Sequence, residues 1–498
     1  MNLDEARKSF AELQKREFAY NHAMGILYYD GATVAPKESY APRGVSMGVL
    51  SEALYGLATG EATRALLDEL AENADKLSAA EARELELMRK DLTELRRIPV
   101  AEYVAYTELV NEAEAVWHKA KAASDFPMFR PFLEKIVAAQ RRFASLVAPE
   151  KDAYDYLLDK YEEGLTQEKC GAFFAALRSG LSPLVEKAAA AKQPDGAVLR
   201  CAFPQAAQEK LSARLMELMG IDRDHCGIGT TEHPFTTDFS KYDVRITTHY
   251  HEDDFTSSMY SVIHEGGHAL YELHTADEYA YTELGTGVSM GIHESQSRFY
   301  ENILGRSRPF ADFLWPYLVQ LCPALASHSA EEMYRAVNRV QPSLIRTEAD
   351  EFTYPFHVMI RYELEKKLIS GELDVAQLPE QWNALYKEYL GVDVPDDRRG
   401  VLQDSHWSSG SIGYFPSYAL GSAYGAQYLA KMKETVDVDG CLSRGDFAPV
   451  NAWLEARIWK YGRLLKPGEL FERAVGAPFD PKYYVNYLSA KLADVYGL

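Results

Sequence analysis

Apolar residues recur every three to four positions through most of this 498-residue chain, and that period restricts it to a mainly helical fold. Segments 4–30, 79–96, 102–122, 128–147 and 167–191 all carry it, separated by short Pro, Gly or Asp punctuation such as RRIPVAEY and ASDFPMF. The clearest exception is Lys241–Tyr250, where Val244, Ile246 and Thr248 alternate with Arg245 and Thr247, the two-residue period of a strand. The stretch before it, Gly227–Thr237, is rich in Gly, Thr and Pro and reads as a loop. The expected fold class is mostly α with a small β-sheet near the middle of the chain.

The length allows two or three lobes. Hydrophobic content of 47% and charged content of 26% are those of an ordinary globular protein. No run approaches the roughly 20 apolar residues that span a bilayer, so a membrane role is not expected. MNLDEARKSFAELQKREF carries charge throughout and lacks an apolar signal core, which points to a cytoplasmic location. The five cysteines, Cys170, Cys201, Cys226, Cys322 and Cys441, are scattered and form no C-x-x-C pair. Neither a disulfide framework nor a thiolate metal site is expected from them. Acidic residues outnumber basic ones 74 to 53, and the net charge of −21 repels phosphate backbones, so nucleic acid is excluded as a partner.

Within the helical segment 255–275 stands His264-Glu265-Gly266-Gly267-His268. Histidines four apart lie about 40° apart around a helix axis, so both imidazoles can reach one cation. Glu265 projects beside them, where it can deprotonate a water activated by that cation. Met259, Ile263, Gly266, Leu270 and Leu273 form the apolar stripe, from which the histidines point away. Two glycines inside a helix cost roughly 2 kcal/mol relative to alanine, so another backbone or a substrate should pass close to them.

Three residues compete as third ligand. His274 sits ten after His264, but the position where a helix-breaking glycine would be needed is Tyr271, and a continuous helix carries His274 about 120° away from His268. Glu294 lies in Ser289–Leu304, which reads as a helix with Ile292, Phe299 and Ile303 on its apolar side and Glu294 opposite. A carboxylate from a second helix would complete His₂Glu with an open fourth position, the arrangement of a catalytic zinc site. His293 is about 100° from Glu294, so the two would not bind together.

These strings, with others in the same order, resemble the carboxypeptidase Taq family of metallocarboxypeptidases, peptidase family M32. They are His233-Pro234-Phe235, Asp243-Val244-Arg245-Ile246-Thr247, the His264–His268 motif, His293-Glu294-Ser295-Gln296, Ile345-Arg346-Thr347-Glu348-Ala349-Asp350, and Gly400-Val401-Leu402-Gln403-Asp404-Ser405-His406-Trp407. Weaker likeness near YYDGATVAP and YDYLLDKYEEGLT extends the resemblance over nearly the whole chain, with Gly31 and Val34 departing from the family's usual wording. The resemblance implies a two-lobed helical fold of the neurolysin-like zincin type with a deep groove, its N-terminal lobe over about 1–200 and its catalytic lobe over about 201–498. It also implies a homodimer that releases single residues from peptide C-termini with broad specificity. Glu294 becomes the third ligand and Glu265 the general base. Zinc is the expected cofactor, and cobalt is able to replace it.

Removal of only the last residue requires recognition of a free carboxylate, for which a bidentate arginine is the natural partner. Arg346 and Arg245 are the motif arginines; their bland readings are ion pairs with Asp350 and Asp243. His406, Tyr414 and Tyr418 lie in a Gly- and Ser-rich stretch suited to a loop over a cleft, where they would stabilise an oxyanion. His233 would line the specificity end, and Gln403 is grouped with the substrate-binding residues. The competing readings are a zinc endo-oligopeptidase of similar fold and a helical scaffold with a degenerate site.

Overall fold

The computed structural model describes residues 2–498. Helices carry most of the chain, and the five segments expected from periodicity appear as Leu3–Thr33, Ala79–Arg97, Val100–Ala123, Phe126–Val147 and Gln167–Ala190. Their starts are fixed by local chemistry. Asn2 with Glu5, and Ser78 with Glu81, form reciprocal capping boxes, and Asp125 and Thr166 accept from first-turn amides of Phe126–Val147 and Gln167–Ala190. The largest hydrophobic cluster draws side chains from Ala113 to Leu492, and a smaller one joins Ala6, Phe10 and Leu13 to Leu66–Met88.

The sheet has three strands, β1 (Cys226–Thr230), β2 (Thr236–Ser240) and β3 (Asp243–Thr248), in the order β1-β3-β2. β3 pairs parallel to β1 and antiparallel to β2. The stretch expected as a loop, 227–237, therefore contains most of one strand and the start of another. Its glycines obscured it. A Cβ on Gly229 would lie 2.6 Å from the Tyr29 hydroxyl, so the N-terminal helix packs where a strand residue would normally show a side chain. The sheet lies against the helix Phe255–Leu273, which also packs on Gln205–Met219 and on Met290–Arg298. No helix among the described residues is long and apolar enough to cross a membrane.

Candidate metal centre

The helix Phe255–Leu273 begins at Asp254, whose side chain accepts from Ser257 N, and runs unbroken through Tyr271. Met259, Ile263, Gly266 and Leu270 are buried as the stripe requires, and the helix is covered on most other sides too. The two glycines have different neighbours. A Cβ on Gly266 would meet Met219 Cε at 2.7 Å, whereas one on Gly267 would meet Gln296 O at 2.7 Å and Ser297 Cα at 2.8 Å. The close backbone expected beside the motif is thus that of Met290–Arg298, the helix bearing Glu294. On its other side the same helix meets Pro416–Met432, where a Cβ on Gly421 would lie 2.7 Å from Glu294 Cγ. Glu294 itself lies against Gly421, its helix is held close to the metal-motif helix where Gly267 meets Gln296 and Ser297, and it is buried rather than solvent-facing.

That packing brings three donors together. Ligand atoms of His264, His268 and Glu294 lie within 4.8 Å of one another, the one such group among the described residues. Glu294 Oε2 is 3.4 Å from His268 Nε2 and 3.8 Å from His264 Nε2. Two imidazoles and a carboxylate suit a borderline divalent cation such as zinc. Burial alone would raise the Glu294 carboxyl, but Arg298 and the two histidines outweigh it and hold the group well below the usual carboxylate range. Arg298 Nε donates to Glu294 Oε1 at 2.7 Å, leaving Oε2 turned to the histidines. Burial pushes His268 down to about 3, so its imidazole is neutral as a ligand must be. His264 is raised, because Glu294 and Glu301 outweigh its burial.

Both histidines are oriented from behind. His264 Nδ1 lies 2.8 Å from Glu301 Oε2, and since a carboxylate only accepts, Nδ1 carries the hydrogen and Nε2 keeps its lone pair. Glu301 sits on a π-helical turn, Phe299–Gly305, that continues the Glu294 helix; the single helix expected over 289–304 changes register there. Behind His268 stands His293, Nδ1 to Nδ1 at 2.5 Å, with His293 Nε2 at 2.6 Å from Glu272 Oε1. Burial lowers His293, but Glu272, Asp238 and Glu294 outweigh it and raise the group; in its neutral form, donating to Glu272, His293 accepts from His268, which again leaves Nε2 of His268 free. His293 therefore supports a ligand instead of competing with Glu294. His274 is turned away, with Nδ1 on Leu270 O at 2.8 Å and its ring against Trp459. Glu265 is buried beside the triad, where Thr236 Oγ1 donates to its Oε2 at 2.7 Å. Burial raises its proton affinity, with His264 and Thr236 opposing.

Arg346 lies on a short turn, Arg346–Glu348, and is buried. Its partner is Asp404 and not Asp350: Nε donates to Asp404 Oδ1 at 2.9 Å and Nη1 to the Tyr354 hydroxyl at 3.0 Å. Asp350 instead accepts from Phe352 N and Thr353 N. The guanidinium of Arg346 also stands 4.9 Å from the Tyr418 ring centroid. Arg361, fully buried, binds the other Asp404 oxygen through Nε and Nη2 at 2.8 and 2.6 Å. Gln403 lies behind Arg346: its Oε1 accepts from Arg346 N at 2.9 Å, while its amide nitrogen donates to Leu344 O and Arg399 O. His406 Nε2 is 2.9 Å from the Tyr418 hydroxyl, the Tyr414 and Tyr418 rings meet edge-on at 5.0 Å, and burial above all, with a smaller push from Glu294, raises both phenols. Burial and then Arg346 push His406 down to about 4. Arg245 pairs with Asp243 through Nε at 2.9 Å and Nη2 at 2.8 Å, its bland reading, and stacks on Tyr29 and Phe239. His233 is exposed in the loop between β1 and β2. Thr236, Arg298, Glu301, Glu272 and Arg361 were not singled out from sequence; of these only Arg298, one turn after Glu294, carried a readable signal.

Residues 9–492 match the model of the carboxypeptidase Taq (M32) metallopeptidase family. The chain is 39% identical to "Carboxypeptidase 1" of Bacillus subtilis over 501 residues, covering all of both chains. It is 34% identical to "Thermostable carboxypeptidase 1" of Pyrococcus furiosus, covering 98% of each. The crystal structure of an M32 carboxypeptidase from Deinococcus radiodurans superposes with a TM-score of 0.96 at 36% identity, over 99% of this chain and 100% of that one. With its two motif histidines and Glu294 converging between these helices, the chain belongs to the carboxypeptidase Taq (M32) family of metallopeptidases.

Proposed function

We propose that the protein is a zinc carboxypeptidase that removes single residues from the C-termini of peptides with broad specificity, using Glu265 as general base. The convergence of His264, His268 and Glu294 within 4.8 Å, beside a second buried carboxylate, carries the reading. Three such donors leave the fourth position open, as catalytic zinc sites do. Zinc held there, with cobalt as its substitute, would polarise a water and the scissile carbonyl. Glu265, its proton affinity raised by burial, is suited to take a proton from water and return it to the leaving amine. Tyr414 and Tyr418 stay protonated well beyond neutral pH, so their hydroxyls are available as oxyanion donors. His406 Nδ1 has no hydrogen-bond partner among the described residues, which favours the tautomer whose Nε2–H donates to Tyr418 and frees that phenol's hydrogen for substrate.

Charge balance favours Arg346 as the carboxylate reader. Arg346 and Arg361 share the single carboxylate of Asp404, so the cluster keeps one positive charge in a buried setting. Arg245 is already neutralised one-to-one by Asp243 and serves better as a wall of the cleft. Gln403 acts by holding the Arg346 turn, and His233 lines the specificity end. All five cysteines are free thiols, which fits a reducing cytoplasm. A homodimer would cover the helix Tyr40–Thr59, which buries none of its residues and leaves Tyr40, Val45 and Val49 exposed; sedimentation checks that state. The test of the activity is a mass-spectrometric time course on one peptide with free and amidated C-termini. A ladder of single-residue losses from the acid alone is expected; internal cuts, or equal cleavage of the amide, contradict the proposal.

A further inference from the structure

Far from the metal triad in sequence, Cys201 and Cys322 stand with their sulfurs 2.9 Å apart, although 121 positions separate them. Cys201 lies on the extended segment leading into the helix Gln205–Met219 and is partly exposed; Cys322 ends the helix Arg308–Leu321 and is buried. Both thiols sit beside one carbonyl, Ala202 O, at 3.7 and 3.5 Å. A disulfide needs ~2.05 Å, so closure requires the sulfurs to move by less than an ångström between segments already packed together. We propose that Cys201 and Cys322 are a disulfide-forming pair. The cross-link would enclose the whole stretch bearing His264, His268 and Glu294, and would tie the helix Gln205–Met219, which packs on the metal-motif helix, to the end of Arg308–Leu321.

The co-reactant is a low-molecular-weight disulfide. The more exposed Cys201, as thiolate, attacks one of its sulfurs and expels one small thiol, leaving a mixed disulfide. Cys322, as thiolate, then attacks the Cys201 sulfur and expels the second small thiol. Two protein thiols and one small disulfide become one protein disulfide and two small thiols, which carry off the two protons. Burial and the neighbouring sulfur push the Cys201 thiol up to about 12, so its thiolate fraction is small at neutral pH and closure quickens as pH rises.

The experiment equilibrates the folded protein with oxidised glutathione at mildly alkaline pH, blocks remaining thiols, then denatures and maps peptides without reduction. A single linked peptide joining Cys201 to Cys322 is expected, with the thiol count falling from five to three. The oxidised protein should melt roughly 4 °C higher than the reduced one, and dithiothreitol should reverse the shift. Cys201→Ser and Cys322→Ser should each lose both the linked peptide and the shift, and Cys441→Ser should lose neither. Five free thiols after equilibration, a stable glutathione adduct at Cys201, or linkage to another cysteine would each overturn the proposal. A linked peptide without a rise in melting temperature would overturn the bracing role.

Discussion

Two adjacent glycines offer a sharp test of how the metal centre is assembled. Gly267→Ala adds a methyl 2.7 Å from Gln296 O and 2.8 Å from Ser297 Cα, both backbone atoms of the Glu294 helix. An ordinary contact begins near 3.4 Å, so the two helices must separate by 3.4 − 2.7 = 0.7 Å. Metal–ligand distances tolerate only about 0.2 Å, and Gln296 lies two residues from the ligand itself. Glu294 is therefore drawn out of reach, and the dissociation constant for zinc should rise at least about tenfold, equivalent to about 1.4 kcal/mol. Overpacking costs about 1–3 kcal/mol, offset by about 1 kcal/mol of helix propensity, so the variant remains folded. Gly266→Ala is the control. Its methyl meets the ends of Met219 and Ile221, flexible side chains that can turn aside, so zinc affinity should be unchanged and stability equal or slightly higher. Competition titration against a chromogenic chelator, with melting curves of the metal-free proteins, measures both effects. Wild-type affinity in Gly267→Ala, or equal weakening in both variants, would refute the reasoning.

Glu265→Gln should keep zinc and the Thr236 hydrogen bond yet lose 10²–10⁴-fold in turnover; more than about a tenth of the wild-type rate removes the general-base role. Arg346→Ala should lower kcat/KM on free-acid peptides by roughly ten- to hundredfold, with Arg346→Lys recovering only part of it. An equal loss on amidated peptides would mean that Arg346 does not read the carboxylate. His293→Ala should weaken zinc by about 10–100-fold through His268, while His274→Ala leaves it unchanged. The reverse order in equilibrium dialysis would return the third-ligand question to His274.

Helical periodicity made the long helices legible because each buries one face, and the His264–His268 spacing placed two ligands on one side of a helix before any tertiary contact was known. Glu294 was legible as a candidate, but its burial was not, because Gly421 presses on it from one helix while Gly267 lets a second helix close on the backbone of Gln296 and Ser297. The strand β1 was missed because Gly227 and Gly229 remove the side-chain alternation that marks a half-buried strand. Asp404 stood within a readable string, yet its pairing with Arg346 and Arg361 spans 58 and 43 positions, beyond what any local pattern reports. Thr236 behind Glu265 and the contact of Cys201 with Cys322 were hidden for the same reason: each joins segments that only the folded chain brings together.

The zinc bound per chain is the quantity that most directly reports whether Glu294 completes the triad. Wild-type protein stripped of metal, dialysed against trace zinc and assayed by elemental analysis should hold about one zinc per chain, while Glu294→Ala, still folded, should hold almost none under the same conditions. Undiminished zinc in Glu294→Ala, together with retained activity, would remove that glutamate from the triad and contradict the account.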